Sequence, residues 1–286
     1  MKILITGING QVGSALVRQA NEQGHEIVAI SREQWDMAQG PEQGEELVLE
    51  AKPDLVINPA AYTNVDGAED DEVTALKVNA DAPRALAKGC KQLDIPIFHV
   101  STDYVFDGTK EKPYVETDQT NPINAYGRTK LAGELAVQKR TKKYIILRTS
   151  WVFSKDGKNF VNTILRLAKE RDELKVVNDQ FGGPTSAECI AKVLLQFATK
   201  HKEHWGIYHY SGQPFVSWFE FAKKIVEQSV KDGLLTKAPV IKSCGSDEFP
   251  VKAERPKNSR LSQEKLESLF SHTLYDWCKA LSWSRN

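Results

Sequence analysis

The amino-acid sequence predicts an α/β protein, a doubly wound parallel sheet followed by a smaller C-terminal α/β part. Three observations carry that expectation. Short strand-like runs are apolar throughout, helical patterns alternate with them over residues 1–150, and three regularly spaced glycines separate the first strand-like run from the first helical pattern. Strands without polar alternation are buried on both faces of a sheet. Their alternation with helices implies right-handed crossovers and parallel neighbours.

Taken in order, Lys2–Thr6 reads as a strand and Gln11–Gln23 as a helix with Val12, Ala15, Leu16 and Ala20 on one face, ending at Gly24. Glu26–Ile30 is the second strand, Glu42–Ala51 a helix ended by Pro53, and Asp54–Asn58 the third strand. Glu72–Gln92 is a long helical pattern that Pro83 is placed to interrupt. Ile95–Ser101, Ala125–Lys139 and Tyr144–Thr149 follow as strand, helix and strand. After Trp151 the rhythm changes. Asn159–Lys169, Ala187–Thr199 and Ser217–Gln228 look helical, Leu174–Asn178 and Ile207–Tyr210 look like short strands, and Lys237–Pro256 reads as a loop. The expected division is 1–150 and 151–286, with some later strands returning to the first sheet.

A chain of 286 residues can bury a substantial core without staples. Its 38 Lys and Arg against 38 Asp and Glu give no field that would favour nucleic acid or an anionic membrane. Cys90, Cys189, Cys244 and Cys278 are scattered, with no zinc-like spacing, and are expected to be free thiols. No apolar stretch approaches a signal core or a membrane span. A soluble, cytoplasmic protein is expected.

Gly7, Gly10 and Gly13 form G-x-x-G-x-x-G in a strand–turn–helix context. There Gly7 permits the tight turn, Gly10 a close approach of backbone to a pyrophosphate, and Gly13 close packing of helix on strand. The helix N-terminus offers free N–H groups to phosphate. A dinucleotide-binding, Rossmann-type fold follows, and its ligand site lies at the carboxyl edge of the sheet. The second strand ends not on an acid but on Ser31-Arg32. A hydroxyl and a guanidinium suit a 2′-phosphate, so NADPH is the expected cofactor, with NADH accepted less well. The alternative is a solvated surface arginine. Asp36 and Met37 stand where the adenine pocket would be, and Ala61, Tyr62 and Thr63 after the third strand are small or polar enough to lie along the cofactor.

Tyr126 and Lys130 are four apart on a helical pattern and share a face. A phenol titrates near pH 10 in water. A neighbouring ammonium favours the phenolate and is expected to lower that value, giving a proton donor for carbonyl reduction; the same lysine can reach a nicotinamide ribose. Thr102, after the fourth strand, faces the same crevice and can hydrogen-bond the carbonyl.

Together these residues resemble the extended short-chain dehydrogenase/reductase superfamily. Val100 to Gly108, Asn58 to Thr63 with Val65-Asp66, Arg148 to Phe153, Asp179 to Thr185 and Arg255 to Leu261 are similar to stretches of the dTDP-4-dehydrorhamnose reductases, so the resemblance spans essentially the whole chain. It implies hydride transfer from NADPH to the C4 carbonyl of a dTDP-4-dehydro-L-rhamnose, with Tyr126 as proton donor, Thr102 polarising the carbonyl and Lys130 tuning Tyr126. It implies that Gly10, Gln11, Val12, Ala61, Tyr62 and Thr63 touch the cofactor. It also implies that Thr102, Asp103 and Trp151 face the sugar. Arg255 and Arg260 are candidates for its diphosphate or nucleotide end, with a surface or ion-paired arginine as the equal alternative for either. Some members carry a magnesium-linked glutamate where this chain has Ala15, so no metal and a monomer or weak homodimer are expected. A dehydratase of the same superfamily would need a glutamate where Tyr104 stands. A 4-epimerase, another nucleotide-sugar reductase, and a non-catalytic NADP-binding subunit resembling the β subunit of methionine adenosyltransferases remain as alternatives.

Overall fold

The computed structural model describes residues 1–199, 204–270 and 276–282. Strands β1 (Lys2–Thr6), β2 (Glu26–Ile30), β3 (Leu55–Asn58), β4 (Ile97–Thr102) and β5 (Tyr144–Thr149) alternate with helices α1 (Gln11–Glu22), α2 (Gln43–Ala51), α3 (Val65–Asp70), α4 (Glu72–Leu76), α5 (Ala82–Leu93) and α6 (Ala125–Arg140). The later elements are β6 (Val152–Phe153), α7 (Phe160–Glu170), β7 (Glu173–Val177), β8 (Phe181–Gly182), β9 (Thr185–Ser186), α8 (Ala187–Thr199), β10 (Gly206–His209), β11 (Val216–Ser217), α9 (Trp218–Lys231), β12 (Val240–Cys244) and α10 (Glu264–Leu269).

Six strands form one parallel sheet in the order β10-β5-β4-β3-β1-β2. The chain winds outward from β1 to β2, then returns and winds the other way from β3 onward. The crevice beyond the carboxyl ends of β1 and β3 is therefore the topological switch point where such sheets take ligands. Helices α1 and α8 cover one face and α2, α5 and α6 the other. Two apolar cores result, one joining Ile3, Ile5, Leu16, Phe98 and Leu194, the other joining Leu4, Val48, Val56 and Leu86. A third core, built from Phe153, Val161, Leu174, Phe221 and Trp277, sits between α7, α9 and β7. Late elements α8 and β10 thus belong to the layers of the first sheet, while α7, α9, β7 and β12 build a separate lobe.

Two local departures have physical causes. The stretch read as one helix from Glu72 to Gln92 is α4 and α5 joined by a π-helical turn, Lys77–Asp81, with Pro83 in the first turn of α5. Proline fits a helix start, where its missing N–H would have had no partner. The wide turn also lets the Asn79 side chain reach across, accepting from Tyr62 N at 2.8 Å and donating to Tyr62 O at 3.2 Å and Thr129 Oγ1 at 3.0 Å. Within the stretch expected to be loop, β12 pairs in parallel with β7. Its Lys and Ser faces are exposed, and only Cys244 is buried, so a local apolar signal is missing.

Candidate active site

The crevice at the switch point is a cleft of about 950 Å³, a size that takes a cofactor-sized ligand. Its cofactor-side wall begins at β1. The chain turns at Gly7 with φ +58° and enters α1 at Gly10. A Cβ on Gly13 would sit 2.1 Å from the Gly7 carbonyl oxygen, so only glycine lets the helix rest on the turn. No side chain caps α1 and no acid occupies its first turn. The unpaired N–H groups and the positive end of the helix dipole therefore face the cleft, a fit for a pyrophosphate. Ser31, Arg32, Asp36 and Met37 line the cleft along one flank, and Ala61, Tyr62 and Thr63 line the next. Arg32 is 81% exposed and stands 3.6 Å from Asp36.

The opposite wall brings together the candidate catalytic side chains. Asn124 caps α6, accepting from Gly127 N at 2.8 Å. A Cβ on Gly127 would fall 2.1 Å from the Tyr104 carbonyl oxygen. The start of α6 therefore presses directly on the turn that follows β4, and this contact brings Tyr126 to Thr102. Both side chains line the cleft, and the threonine hydroxyl near the phenol favours its charged form. Thr102 Oγ1 donates to Asp103 Oδ1 at 2.9 Å and accepts from Tyr104 N at 3.2 Å, and the Tyr104 ring stands edge-on to Tyr126 at 5.7 Å. Lys130, buried one turn further along α6, donates to the Val100 carbonyl at 2.7 Å.

Electrostatically, burial dominates. It pushes Tyr126 up to about 12, partly offset by the nearby Thr102 hydroxyl, and Lys130 down to about 8, partly offset by the charge of Glu134. The sequence pattern alone predicts a phenol lowered by the lysine; in the structure the shift is upward, set by desolvation, and Lys130 is not among the groups that move it. The tyrosine is thus held neutral and is a proton donor at neutral pH. Burial likewise raises Asp103 to about 6.

Trp151 lies at the far end of the cleft with φ +47°. That backbone is unusual for a bulky residue and marks local strain of about 1–3 kcal/mol. Its ring stacks on Trp218 of α9 with centroids 3.5 Å apart. One indole face is therefore already covered. Trp218 and the 154–159 loop line the cleft and were not singled out from the sequence. The loop is held by Gln11, whose Oε1 accepts from Ser154 Oγ at 2.7 Å and Asn159 Nδ2 at 3.0 Å. This gives Gln11 a role a glycine fingerprint does not reveal. The loop also brings Lys155 and Lys158 to the cleft.

The two candidate arginines lie elsewhere. Arg255 is not among the residues lining the cleft; it pairs with Asp66 Oδ2 at 2.9 Å and donates to Ala253 O at 3.0 Å. Arg260 is occupied by Asn258 Oδ1 and the Glu111 carbonyl. All the other candidate residues, from Gly7 to Trp151, meet in the one cleft. Among the described residues no group of three acidic, His or Cys side chains is placed to hold a metal, and no helix is long and apolar enough to cross a membrane.

Against known proteins, the chain matches the family model described as the RmlD substrate binding domain over residues 1–284. A dTDP-4-dehydrorhamnose reductase of Burkholderia thailandensis is 45% identical over 286 residues, covering 97% of this chain and 95% of that one. Among solved structures, a dTDP-4-dehydrorhamnose reductase from Clostridium acetobutylicum aligns with a TM-score of 0.92 at 38% identity, covering 99% of this chain and 97% of its own. One from Bacillus anthracis, in complex with NADP, aligns with a TM-score of 0.90 at 35% identity, covering 98% and 96%.

Proposed function

The chain belongs to the RmlD substrate-binding-domain family, and from that premise we propose that it is an NADPH-dependent oxidoreductase reducing the C4 carbonyl of dTDP-4-dehydro-β-L-rhamnose to dTDP-β-L-rhamnose. The observation that carries the reading is the meeting, in one cleft, of the uncapped glycine-lined start of α1 with Thr102, Tyr126 and Lys130.

When bound, the nicotinamide supplies a hydride to the carbonyl carbon. The rest falls to side chains. Thr102 and Tyr126 both line the cleft, so a carbonyl oxygen seated there can accept from Tyr126, and from Thr102 once the threonine's single hydroxyl proton turns to it from Asp103. Tyr126, neutral because it is buried, gives its proton to that oxygen as negative charge develops. The ammonium of Lys130, one helical turn away, compensates the phenolate left behind. On this reading residues 1–150 hold the cofactor, while 151–286 mainly shape the sugar side, where Trp151 and Trp218 together offer an apolar wall.

The test is NADPH consumption with dTDP-, UDP- and GDP-linked 4-keto-6-deoxysugars. The dTDP sugar is expected to be consumed most efficiently, and equal or better use of a UDP or GDP sugar would overturn the assignment. For the cofactor, Arg32, exposed and only loosely paired with Asp36 at 3.6 Å, is the guanidinium placed to take a 2′-phosphate. Arg32→Gln is expected to raise KM for NADPH by about 10-fold and leave that for NADH within about twofold, since a lost charge-assisted bidentate pair costs on the order of a tenfold in binding. An unchanged NADPH-to-NADH ratio would remove Arg32 from the site.

The even charge balance argues against nucleic acid as a partner. With Ala15 buried against the core in place of a metal-linked acid, a monomer or weak homodimer insensitive to EDTA is expected by light scattering. A magnesium-dependent dimer would contradict it.

A further inference from the structure

Tyr126, Lys130 and Glu134 follow one another at four-residue intervals along α6 and so share its inner face. The first two line the cleft and the third does not. The Glu134 carboxylate is fully buried and gripped on three sides. Arg148 of β5 binds it through two parallel hydrogen bonds, Nε to Oε1 at 2.9 Å and Nη2 to Oε2 at 2.7 Å, and Ser101 of β4 donates to Oε1 at 2.5 Å. Each partner is next to the site. Ser101 precedes Thr102, Arg148 precedes the Thr149–Trp151 segment that lines the cleft, and Glu134 lies one turn beyond Lys130. A single carboxylate therefore ties α6 and β4, which carry Tyr126, Lys130 and Thr102, to β5, which leads into the Thr149–Trp151 lining of the cleft.

Buried ion pairs are poor stabilisers, because desolvation consumes most of the attraction. A buried arginine–glutamate pair at this place is better explained by what it holds in position. The titratable groups around Lys130 and Glu134 come from several elements: Tyr126 on α6 itself, His99 on β4, Arg148 and Tyr144 on β5, and His209 on β10, whose Nε2 faces Arg148 at 3.4 Å and whose backbone N–H donates to Glu116. His99 is kept neutral by burial and by the charge of Lys130. Glu134 is the group in this set whose charge favours the protonated lysine.

We propose that Glu134 is a positioning residue for the reduction: clamped by Arg148 of β5 and Ser101 of β4, it fixes the inner face of α6, with Lys130 and Tyr126 on it, against the end of β4 that carries Thr102. The proposal rests on the reading of Tyr126 and Lys130 as the proton machinery.

The test compares Glu134→Gln, the double variant Glu134→Gln with Arg148→Met, and Tyr126→Phe, measuring kcat, KM and the pH profile of keto-sugar reduction together with thermal unfolding. The double variant leaves no unpaired buried charge and is expected to melt cooperatively, as the parent does. In both Glu134 variants kcat at pH 8 is expected to fall about 10-fold with KM values within about twofold, because Glu134 touches neither ligand. In Glu134→Gln the alkaline limb of the kcat profile is expected to move down by about one pH unit, because the negative charge one turn from Lys130 is lost while Arg148 keeps its positive one; in the double variant both charges go, so the limb is expected to stay and the fall in kcat to persist as pH is lowered to 6. A folded double variant with parental kcat overturns the proposal, as does a Glu134→Gln variant in which kcat and the alkaline limb are both unmoved. An active Tyr126→Phe would instead overturn the reading of the site beneath it.

Discussion

Tyr126→Phe is expected to lower kcat for keto-sugar reduction by about 10²–10⁴-fold, the usual contribution of a positioned general acid, while KM for NADPH stays within about threefold. The reasoning is local. The phenol oxygen is the one proton-bearing atom of the Tyr126 side chain that meets Thr102, and the ring remains after substitution to pack edge-on to Tyr104. Thr102, Asp103 and Lys130 keep their own hydrogen bonds, to one another or to Val100 and Tyr104 backbone, so the cleft should hold its shape. The effect should appear as a loss of chemistry rather than of binding or folding. A variant that binds NADPH normally, unfolds at the parental temperature and retains more than about a tenth of the parental kcat would show that another group delivers the proton.

Gly13→Ala is expected to be as damaging by a different route. The added Cβ would stand 2.1 Å from the Gly7 carbonyl oxygen and 2.7 Å from its carbon. Both are backbone atoms of the turn that faces the pyrophosphate, so relief requires moving either that turn or the whole of α1. Overpacking of this kind costs about 1–3 kcal/mol in stability. The displacement also pulls the α1 N–H groups off the phosphates, with an expected loss of NADPH affinity of at least about 100-fold, read by titrating cofactor fluorescence and by a melting curve. Parental affinity in this variant would mean that α1 does not carry the phosphates.

Legibility in the sequence followed how local each signal was. The strands of the main sheet show as apolar runs because burial on both faces leaves little room for polar residues, and Val56, Ile57, Phe98 and Leu147 are all at or near zero exposure. The glycine spacing and the Tyr126–Lys130 pair are readable for the same reason: the geometry is set within one turn or one helix. Features that depend on distant segments were not. Trp218 is separated from Trp151 by 67 residues, yet their rings stack (218 − 151). The partnership of Arg255 with Asp66 spans 189 residues and takes the guanidinium away from the cleft. Strand β12 carries Lys242 and Ser243 on an exposed two-stranded ribbon, where no apolar run is needed. The direction of the Tyr126 shift depends on desolvation, which no residue spacing encodes. Glu134 and Arg148 stand on different elements, and no spacing in the sequence pairs them; only the fold buries them against each other.

The wide turn at Lys77–Asp81 makes this part of the chain sensitive to its own length. Asn79 reaches Tyr62 and Thr129 only because that turn is overwide, and Thr129 in turn donates to the carbonyl of Tyr126 at 3.0 Å. Deleting a single residue there would restore regular α-helix and rotate everything on one side of it by about 100° relative to the other. Asn79 would swing out of the gap between the Tyr62 loop and helix α6, which it joins. Residue count between Ala75 and Pro83 is therefore a ruler: a natural relative that grips its own cleft with the same asparagine must keep the same number of residues in that interval, whatever else it changes.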